Sequence, residues 1–465
     1  MGLTLHVGVD DTDSLSGGCT TYVAALLVEA LSKLKGLTFL DYPCLVRLNP
    51  NIPWKTRGNG AVCLRLELEN EALYDKVKLS ALKLAEESLE RFGGEAEPGL
   101  AFLKGEVPEG LKKLASKAQW TVVGREEALN LFIKLGGEAQ GFHGGRGIIG
   151  AIAAIGETLE ADHTYELLAY RKSENWGKPR LLDPDSVRVM AEATRPETFG
   201  NFDSETGRVL VTPRGPDPVY FGIRGESPTI ALKASRMLRL GEPVERWVIF
   251  RSNQGTDAHL KAVKSISQVP SHSCVAVEGR VSQAPRKIPG GHVIFKVKDE
   301  TGILACAAYE PTGFLTKTAA ELAVGDKVRL YGGLRKAEPV PEATLNLEKL
   351  EVLETAKVFR ETNPTCPNCG KRMKSMGAGK GFRCPKCRYR SQARKILVEV
   401  ERRLKPGLYL AASRAHRHLT KPRERYGLEK ATMPGIHLRL RPKTFWGYSW
   451  PPPSTPHKSA HSFVG

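Results

Sequence analysis

Val9-Asp10-Asp11-Thr12-Asp13 puts three carboxylates within four residues. Like charges this close repel one another unless a cation sits among them. Mg²⁺ is commonly held by one or two carboxylates together with substrate phosphates. The segment Gly17-Gly18-Cys19-Thr20-Thr21 follows and reads as a flexible turn entering a helix. A helix N-terminus offers free N–H groups and the positive end of its dipole to anions. A metal cluster and a phosphate cradle would then be neighbours. Ordinary turn and capping chemistry, with Thr20 or Thr21 as N-cap, accounts for the same residues. No GxxxxGK[ST] pattern occurs.

A second candidate is the loop Asn49-Pro-Asn-Ile-Pro-Trp-Lys55-Thr-Arg57-Gly58-Asn59-Gly60. Its prolines stiffen it, Lys55 and Arg57 can clamp phosphates, and Gly58 and Gly60 permit close backbone approach. Alone it reads equally well as an exposed loop entering a strand. Its weight comes from chain order, because it follows the acidic strand end and helix in one small domain.

Cys366-Pro-Asn-Cys369 and Cys384-Pro-Lys-Cys387 are two CxxC knuckles. Four thiolates at this spacing close a tetrahedron around Zn²⁺ and leave no position for water, so the site is expected to be structural. A redox pair or a protein-binding ribbon are the alternatives. Lys371, Arg372, Lys374, Arg383, Lys386 and Arg388 crowd the module, which favours RNA.

The elements that must position these groups follow from periodicity. Residues 3–9 read as a strand, Thr21–Lys35 as a helix, and AVCLRLEL as a strand. Leu73–Phe92 and Glu126–Lys134 read as helices, giving an α/β or α+β domain to about residue 150. GFHGGRGIIG opens an apolar helix, Ile148–Ile155. Strands TYELLAYR and VERWVIFRSN then suggest a ferredoxin-like domain over 151–268. CVAVEGRV, HVIFKVKD, ILACAAYE, KVRLYGGL and LNLEKLEVLE are five short strands, the pattern of an OB-type barrel over 269–357. The ribbon takes 358–395. Val398–Leu404 reads as a helix, and the Pro-rich residues 428–465 as a disordered or extended arm.

The charge is uneven. Residues 358–465 carry 24 Lys and Arg against 5 Asp and Glu, while residues 1–357 carry 45 against 46. A basic block of this kind suits a phosphate backbone, with a solvated tail as the alternative. No apolar run reaches the ~18 residues of a membrane span. Met1–Val9 has no signal-like pattern, and five of the nine cysteines are scattered without pairing logic. A reducing, cytoplasmic setting is expected.

Taken together, VGVDDTDSLSGGCTTY, RLNPNIPWKTRGNGAV, RGIIGA, RPETFGNFD, YFGIRGES, NQGTDAHL, GGHVIFKV, NLEKL, CPNC…CPKC and HRHLTKP run in order from residue 7 to about 422. They resemble the archaeal tRNA(Ile) 2-agmatinylcytidine synthetases. The resemblance implies a multidomain α+β protein: a kinase-like ATP domain over 1–150, then the ferredoxin-like domain, the OB fold, the ribbon, and a basic C-terminal segment, 396–465. It implies that ATP activates the 2-carbonyl oxygen of the wobble cytidine in a CAU-anticodon tRNA. The amine of agmatine then displaces phosphate, leaving AMP and two phosphates.

In that reading Asp10, Asp11 and Asp13 hold Mg²⁺, Thr20 is the phosphorylated threonine, and Lys55 and Arg57 neutralise phosphoryl charge. Gly17, Gly18, Thr21, Gly58, Asn59 and Gly60 shape the ATP site. Agmatine is a dication, so its pocket is sought at Phe199, Asn201 and Asp203, and at Gly222, Arg224, Gly225 and Glu226. Arg417, His418 and Lys421 join the RNA-contacting set. ATP, Mg²⁺ and structural Zn²⁺ are implied, with the tRNA and agmatine as partners and neither a membrane nor an obligate protein partner. Two rivals stand beside it: a non-enzymatic RNA-binding protein, and a different ATP-dependent RNA-modifying enzyme.

Overall fold

The computed structural model describes residues 2–335, 343–433, 438–448 and 450. Leu5, Val7 and Val9 alternate along the strand Leu3–Asp10 and are fully buried. They join Ala24, Leu27, Val28 and Leu31 of the helix Thr20–Ser32 in one apolar cluster. The other face of the strand, through Gly8 and Asp10, takes the helix Gly147–Gly156. A β-carbon on Gly8 would overlap the Ala151 carbonyl, and one on Gly99 would overlap the Ile148 amide. Glycine at these positions lets the helix lie directly on the sheet. The helix Glu109–Trp120, which periodicity reading passed over, packs on it through Leu111, Leu114 and Ala118.

The two N-terminal regions share one eleven-stranded sheet. Leu3–Asp10, Gly60–Leu68 and Cys44–Arg47 belong to the first, and Val244–Ser252, Thr164–Arg171 and Val219–Gly225 to the second. The halves join where Cys44–Arg47 runs parallel to Val244–Ser252, with Cys44 opposite Arg251 and Leu45 opposite Ser252. Buried Arg251 and Asp41 pair at 2.8 Å beside this seam. What the sequence presents as two successive domains is therefore continuous in its hydrogen bonding.

The five expected strands of the next region form a closed barrel. Cys274–Ile288 pairs with both His292–Lys298 and Lys327–Arg335, and Ile303–Ala308 runs parallel to Thr344–Glu354 to complete the ring. The short helix Phe314–Ala320 plugs it through Leu315 and Ala319.

The ribbon, with a small core of Cys366, Met373, Phe382 and Cys384, lies between the two strands of a two-stranded ladder. One ladder strand is Ile396–Val400, paired with Val358–Thr362. This corrects the helix expected over Val398–Leu404. A short apolar run fits either period, and cross-strand hydrogen bonds decided it.

The chain then returns to the body. Leu440 bridges Phe39, Trp446–Gly447 pairs with Val248 and Trp247, and Phe445 is fully buried against Phe39 and Tyr42. The expected arm is thus extended but ordered over 438–448, because it completes sheet hydrogen bonds. Residues 451–465 lie outside the described residues. No helix among the described residues is long and apolar enough to cross a membrane.

Candidate active site

A cavity of ≈ 750 Å³ opens over the seam of the joint sheet. Asp10 enters it from the end of the first strand, and Thr20 and Thr21 from the first turn of their helix. Lys55, Arg57, Gly58, Asn59 and Gly60 line it from the loop, and Gly222 and Arg224 from the strand Val219–Gly225. Asp11, Asp13 and His418 complete the sequence-derived residues that meet there. Gly17 and Gly18 do not line it. They pair with Ser14 and Asp13 in a tight hairpin that fixes the acidic loop.

The acidic loop is electrostatically costly as it stands. Burial is the main cause that pushes the carboxyls of Asp10, Asp11 and Asp13 upward, with repulsion inside the loop adding to it at Asp10 and Asp13, and repulsion from Glu97 at Asp11. Asp10 rises well above the usual carboxylate range, and Asp13 to about 6 even with Arg57 beside it. Asp11 sits at φ 55°, a left-handed conformation uncommon outside glycine, and its carboxylate meets Arg146 at 3.1 Å. All three line the cavity, but among the described residues their donor atoms are not gathered within metal-ligating distance of one another, Asp13 being turned to Arg57 and Asp11 to Arg146.

The basic loop divides its labour. Arg57 donates to Asp13 Oδ2 at 2.6 Å and to the Gly18 carbonyl at 2.6 Å, so it staples the acidic loop. Lys55 has no carboxylate within salt-bridge reach among the described residues. Burial, then Arg417 and Arg335, lower its pKa. A cation facing a cavity without a counter-ion suits a phosphate.

Several lining residues escaped sequence reasoning. Glu166, nearly fully buried, pairs with Arg224 at 3.2 Å and Arg47 at 3.7 Å, and accepts from Gln254 Nε2 at 2.5 Å. Asp217 pairs with Arg180 at 3.3 Å. Arg146 and Glu166 come from segments with no charge pattern of their own. RGIIGA, among the stretches singled out, was the available signal for Arg146.

His418 is half-buried and lines both this cavity and the adjoining cleft. Its Nδ1 lies 3.1 Å from both Arg224 Nη2 and Gln254 Oε1. Burial, then Arg47 and Arg224, hold its pKa well below the ordinary histidine value, so the ring is neutral. Arg417 pairs with Glu348 at 3.1 Å, and Lys421 with Glu429 at 2.9 Å. Arg417 and His418 thus tie the returning C-terminal segment to the body, as does the Lys421 N–H, which donates to Asp257 Oδ1 at 2.6 Å.

The remaining agmatine candidates lie outside this cavity. Phe199, Asn201 and Asp203 together line a cleft of ≈ 550 Å³, and Phe199 also lines an adjoining one of ≈ 360 Å³. Asp203 is held by Arg414 at 2.9 Å. Glu226 is held by Arg425 at 2.5 Å and Lys430 at 2.8 Å. A β-carbon on Gly225 would press on Ile230, so that glycine answers to packing.

In the ribbon the four sulfurs lie within 4.8 Å of one another, with Cys366–Cys387 and Cys369–Cys384 both at 3.4 Å. Zn–S bonds of ~2.3 Å in a tetrahedron require sulfurs roughly 3.8 Å apart, so the set fits the ion. Lys371, Arg372, Lys374, Arg383, Lys386 and Arg388 are exposed around it.

Comparison with known proteins agrees over most of the chain. Family models match as the TiaS TCKD domain over 6–70, the TiaS FLD domain over 145–259, an OB-fold nucleic acid binding domain over 275–353, and the TiaS C-terminal zinc ribbon domain over 363–404. The isoleucine-tRNA 2-agmatinylcytidine synthetase TiaS of Methanosarcina mazei is 43% identical over 90% of this chain and 96% of its own. That of Staphylothermus marinus is 40% identical over 96% and 98%. The crystal structure of TiaS in complex with its isoleucine tRNA and ATP is 38% identical, with a TM-score of 0.81 over 90% of this chain and 97% of that one. The complex of TiaS with the same tRNA, AMPCPP and agmatine is 36% identical, with a TM-score of 0.76 over 90% and 96%.

Proposed function

The chain belongs to the tRNA(Ile) 2-agmatinylcytidine synthetase family, and from that premise we infer how its own residues divide the reaction. It uses ATP to join agmatine to the 2-carbonyl carbon of the wobble cytidine of a CAU-anticodon isoleucine tRNA, releasing AMP and phosphate. The single observation carrying the division of roles is that acidic loop, helix N-terminus and basic loop converge on one cavity.

Asp10, Asp11 and Asp13 would hold Mg²⁺, which when bound screens phosphate charge. Thr20, at the first turn of its helix, is the hydroxyl assigned to accept a phosphoryl group, since the N-terminal amides favour the charge that arrives. Lys55 neutralises phosphate, and Arg57 keeps the acidic loop in place. Thr21, Gly58, Asn59 and Gly60 form the walls of the phosphate cradle, and Gly17 and Gly18 its hairpin.

For agmatine the strand Val219–Gly225 remains the assigned wall, with Gly222 open to the cavity and the carboxylates of Glu166 and Asp217 nearby. The exposed ribbon cations are assigned to the tRNA backbone. The domain bounds 1–150, 151–268, 269–357, 358–395 and 396–465 are retained as units of function, and a cytoplasmic location suits a tRNA substrate.

The test is incorporation of labelled agmatine into the CAU-anticodon tRNA with ATP and Mg²⁺. Label in the tRNA, lost with Asp11→Ala, is the expected result. Tight tRNA binding without label would leave a non-catalytic RNA-binding protein.

A further inference from the structure

The loop that carries Lys55 and Gly58–Gly60 does not stand on its own domain. Asn49 and Asn51, at its start, are both almost completely buried, yet what buries them is the barrel. Asn51 Nδ2 donates to the Leu334 carbonyl at 2.7 Å and reaches the Ser273 carbonyl at 3.3 Å. Its Oδ1 accepts from Arg335 Nε at 3.0 Å. Asn49 Nδ2 donates to the His272 carbonyl at 2.8 Å. All four partners belong to the barrel, which lies far downstream in the chain.

The barrel is shaped to receive this side chain. A β-carbon on Gly333 would lie 2.9 Å from Asn51 Cγ and Oδ1, so glycine there leaves room for the amide. On the other side the asparagines organise the loop. Asn51 N–H donates to Asn49 Oδ1 at 2.9 Å. Asn59 Nδ2 donates to the Asn49 carbonyl at 2.8 Å, and Leu48 N–H to the Asn59 carbonyl at 3.0 Å. The two ends of the loop are thus tied to each other and to the barrel through one hub. Pro53 stiffens the path from Asn51 to Lys55. A displacement at Asn51 therefore reaches Lys55 with little slack.

Buried amides of this kind demand partners, because an unsatisfied amide in the interior is penalised. A loop whose only task was to cover a strand end would not need two asparagines inserted into another domain. We propose that Asn51 is a positioning residue for ATP use. Its amide keys the Asn49–Gly60 loop to the barrel, so that Lys55 and Gly58–Gly60 hold their places at the cavity only while the barrel is docked. The barrel is then both the RNA-binding module and a structural part of the ATP site. This rests on the cavity being the ATP site.

The test uses the full-length, zinc-loaded chain with Asn51→Ala and, from the barrel side, Gly333→Ala. Agmatine incorporation by the unaltered protein is measured first. Its absence would count against the proposed function, whereas the variants address only the keying. For each variant the kcat and KM for ATP, the Kd for tRNA and the thermal midpoint are read separately. The expected result is a kcat/KM for ATP lowered at least ten-fold in both variants, with the Kd for tRNA within two-fold. An unchanged kcat/KM for ATP overturns the proposal. So does a drop matched by an equal drop in tRNA affinity or in folded protein, since that is general destabilisation. If Asn51→Ala does not fold, Gly333→Ala decides between the same outcomes.

Discussion

Gly150 has no side chain because the Asp10 carboxylate occupies its place. A β-carbon there would overlap Asp10 Oδ2. The carboxylate thereby lies against the first turns of the helix Gly147–Gly156, whose N–H groups at Gly147, Ile148 and Ile149 already donate to the Glu97, Gly145 and Arg146 carbonyls, and burial raises its proton affinity.

Gly150→Ala separates helix propensity from site geometry. By propensity alone, alanine in a helix interior stabilises by about 0.4–1 kcal/mol. Overlap with a buried carboxylate predicts the opposite sign, a loss of about 1–3 kcal/mol. Agmatine incorporation is expected to drop at least ten-fold. Denaturant titration alongside the assay checks both, and a stabilised, active variant would refute this account of Asp10.

His163, beside the Arg251–Asp41 seam, gives a pH signature. Burial first, and Arg251 second, lower its pKa from 6.5 to about 4. The native state therefore resists a proton that the unfolded chain accepts. The stability tied to neutral His163 is complete above pH 6.5 and is lost as pH falls from 6.5 to about 4. Between pH 7 and pH 5 the loss is on the order of 2 kcal/mol. His163→Gln should flatten that part of the stability curve. Equal slopes in both proteins would show that the histidine is not the titrating group.

The ribbon has its own small core, separate from the apolar clusters of the body. Cys384→Ser is expected to abolish bound zinc, lower tRNA affinity at least ten-fold, and leave the main thermal transition of the body in place. Replacing Lys371, Lys374, Arg383 and Arg388 with alanine should keep zinc. It should reduce the salt dependence of tRNA binding by about 0.7–0.9 for each phosphate no longer neutralised. An unaltered salt slope would remove these cations from the interface.

Glu226 is a structural counter-ion in this arrangement. Arg425, fully buried, is held by Glu226 and by Asp162 at 2.8 Å. Glu226→Gln weakens one of the two carboxylate contacts of that guanidinium, with Asp162 remaining, and is expected to destabilise by about 1.5–3 kcal/mol. The KM for agmatine should stay within two-fold when measured well below the unfolding range. A large rise in KM at unchanged stability would return Glu226 to the agmatine pocket.

Sequence reading succeeded where chemistry is local. Two CxxC knuckles announce their ligand set within a few residues. Five alternating strands define a barrel because each carries its own two-residue period. It failed at the run Val398–Leu404, where an apolar stretch suits either period and only pairing with Val358–Thr362 chose strand. The intramolecular partners of Lys421 and His418, which are Glu429, Gln254 and Arg224, were likewise invisible in the sequence.

The order of residues alone was enough to find the metal-binding cysteines, the acidic and basic loops, the barrel strands and the family. Each rests on residues adjacent in the chain or on a repeating period. Three-dimensional folding was needed to show that two domains share one sheet, that Glu166 and Arg146 face the cavity, and that Asn51 enters the barrel. Those facts depend on burial and on hydrogen bonds between segments up to hundreds of residues apart. A charge or amide acquires its role there from the partner the fold delivers to it.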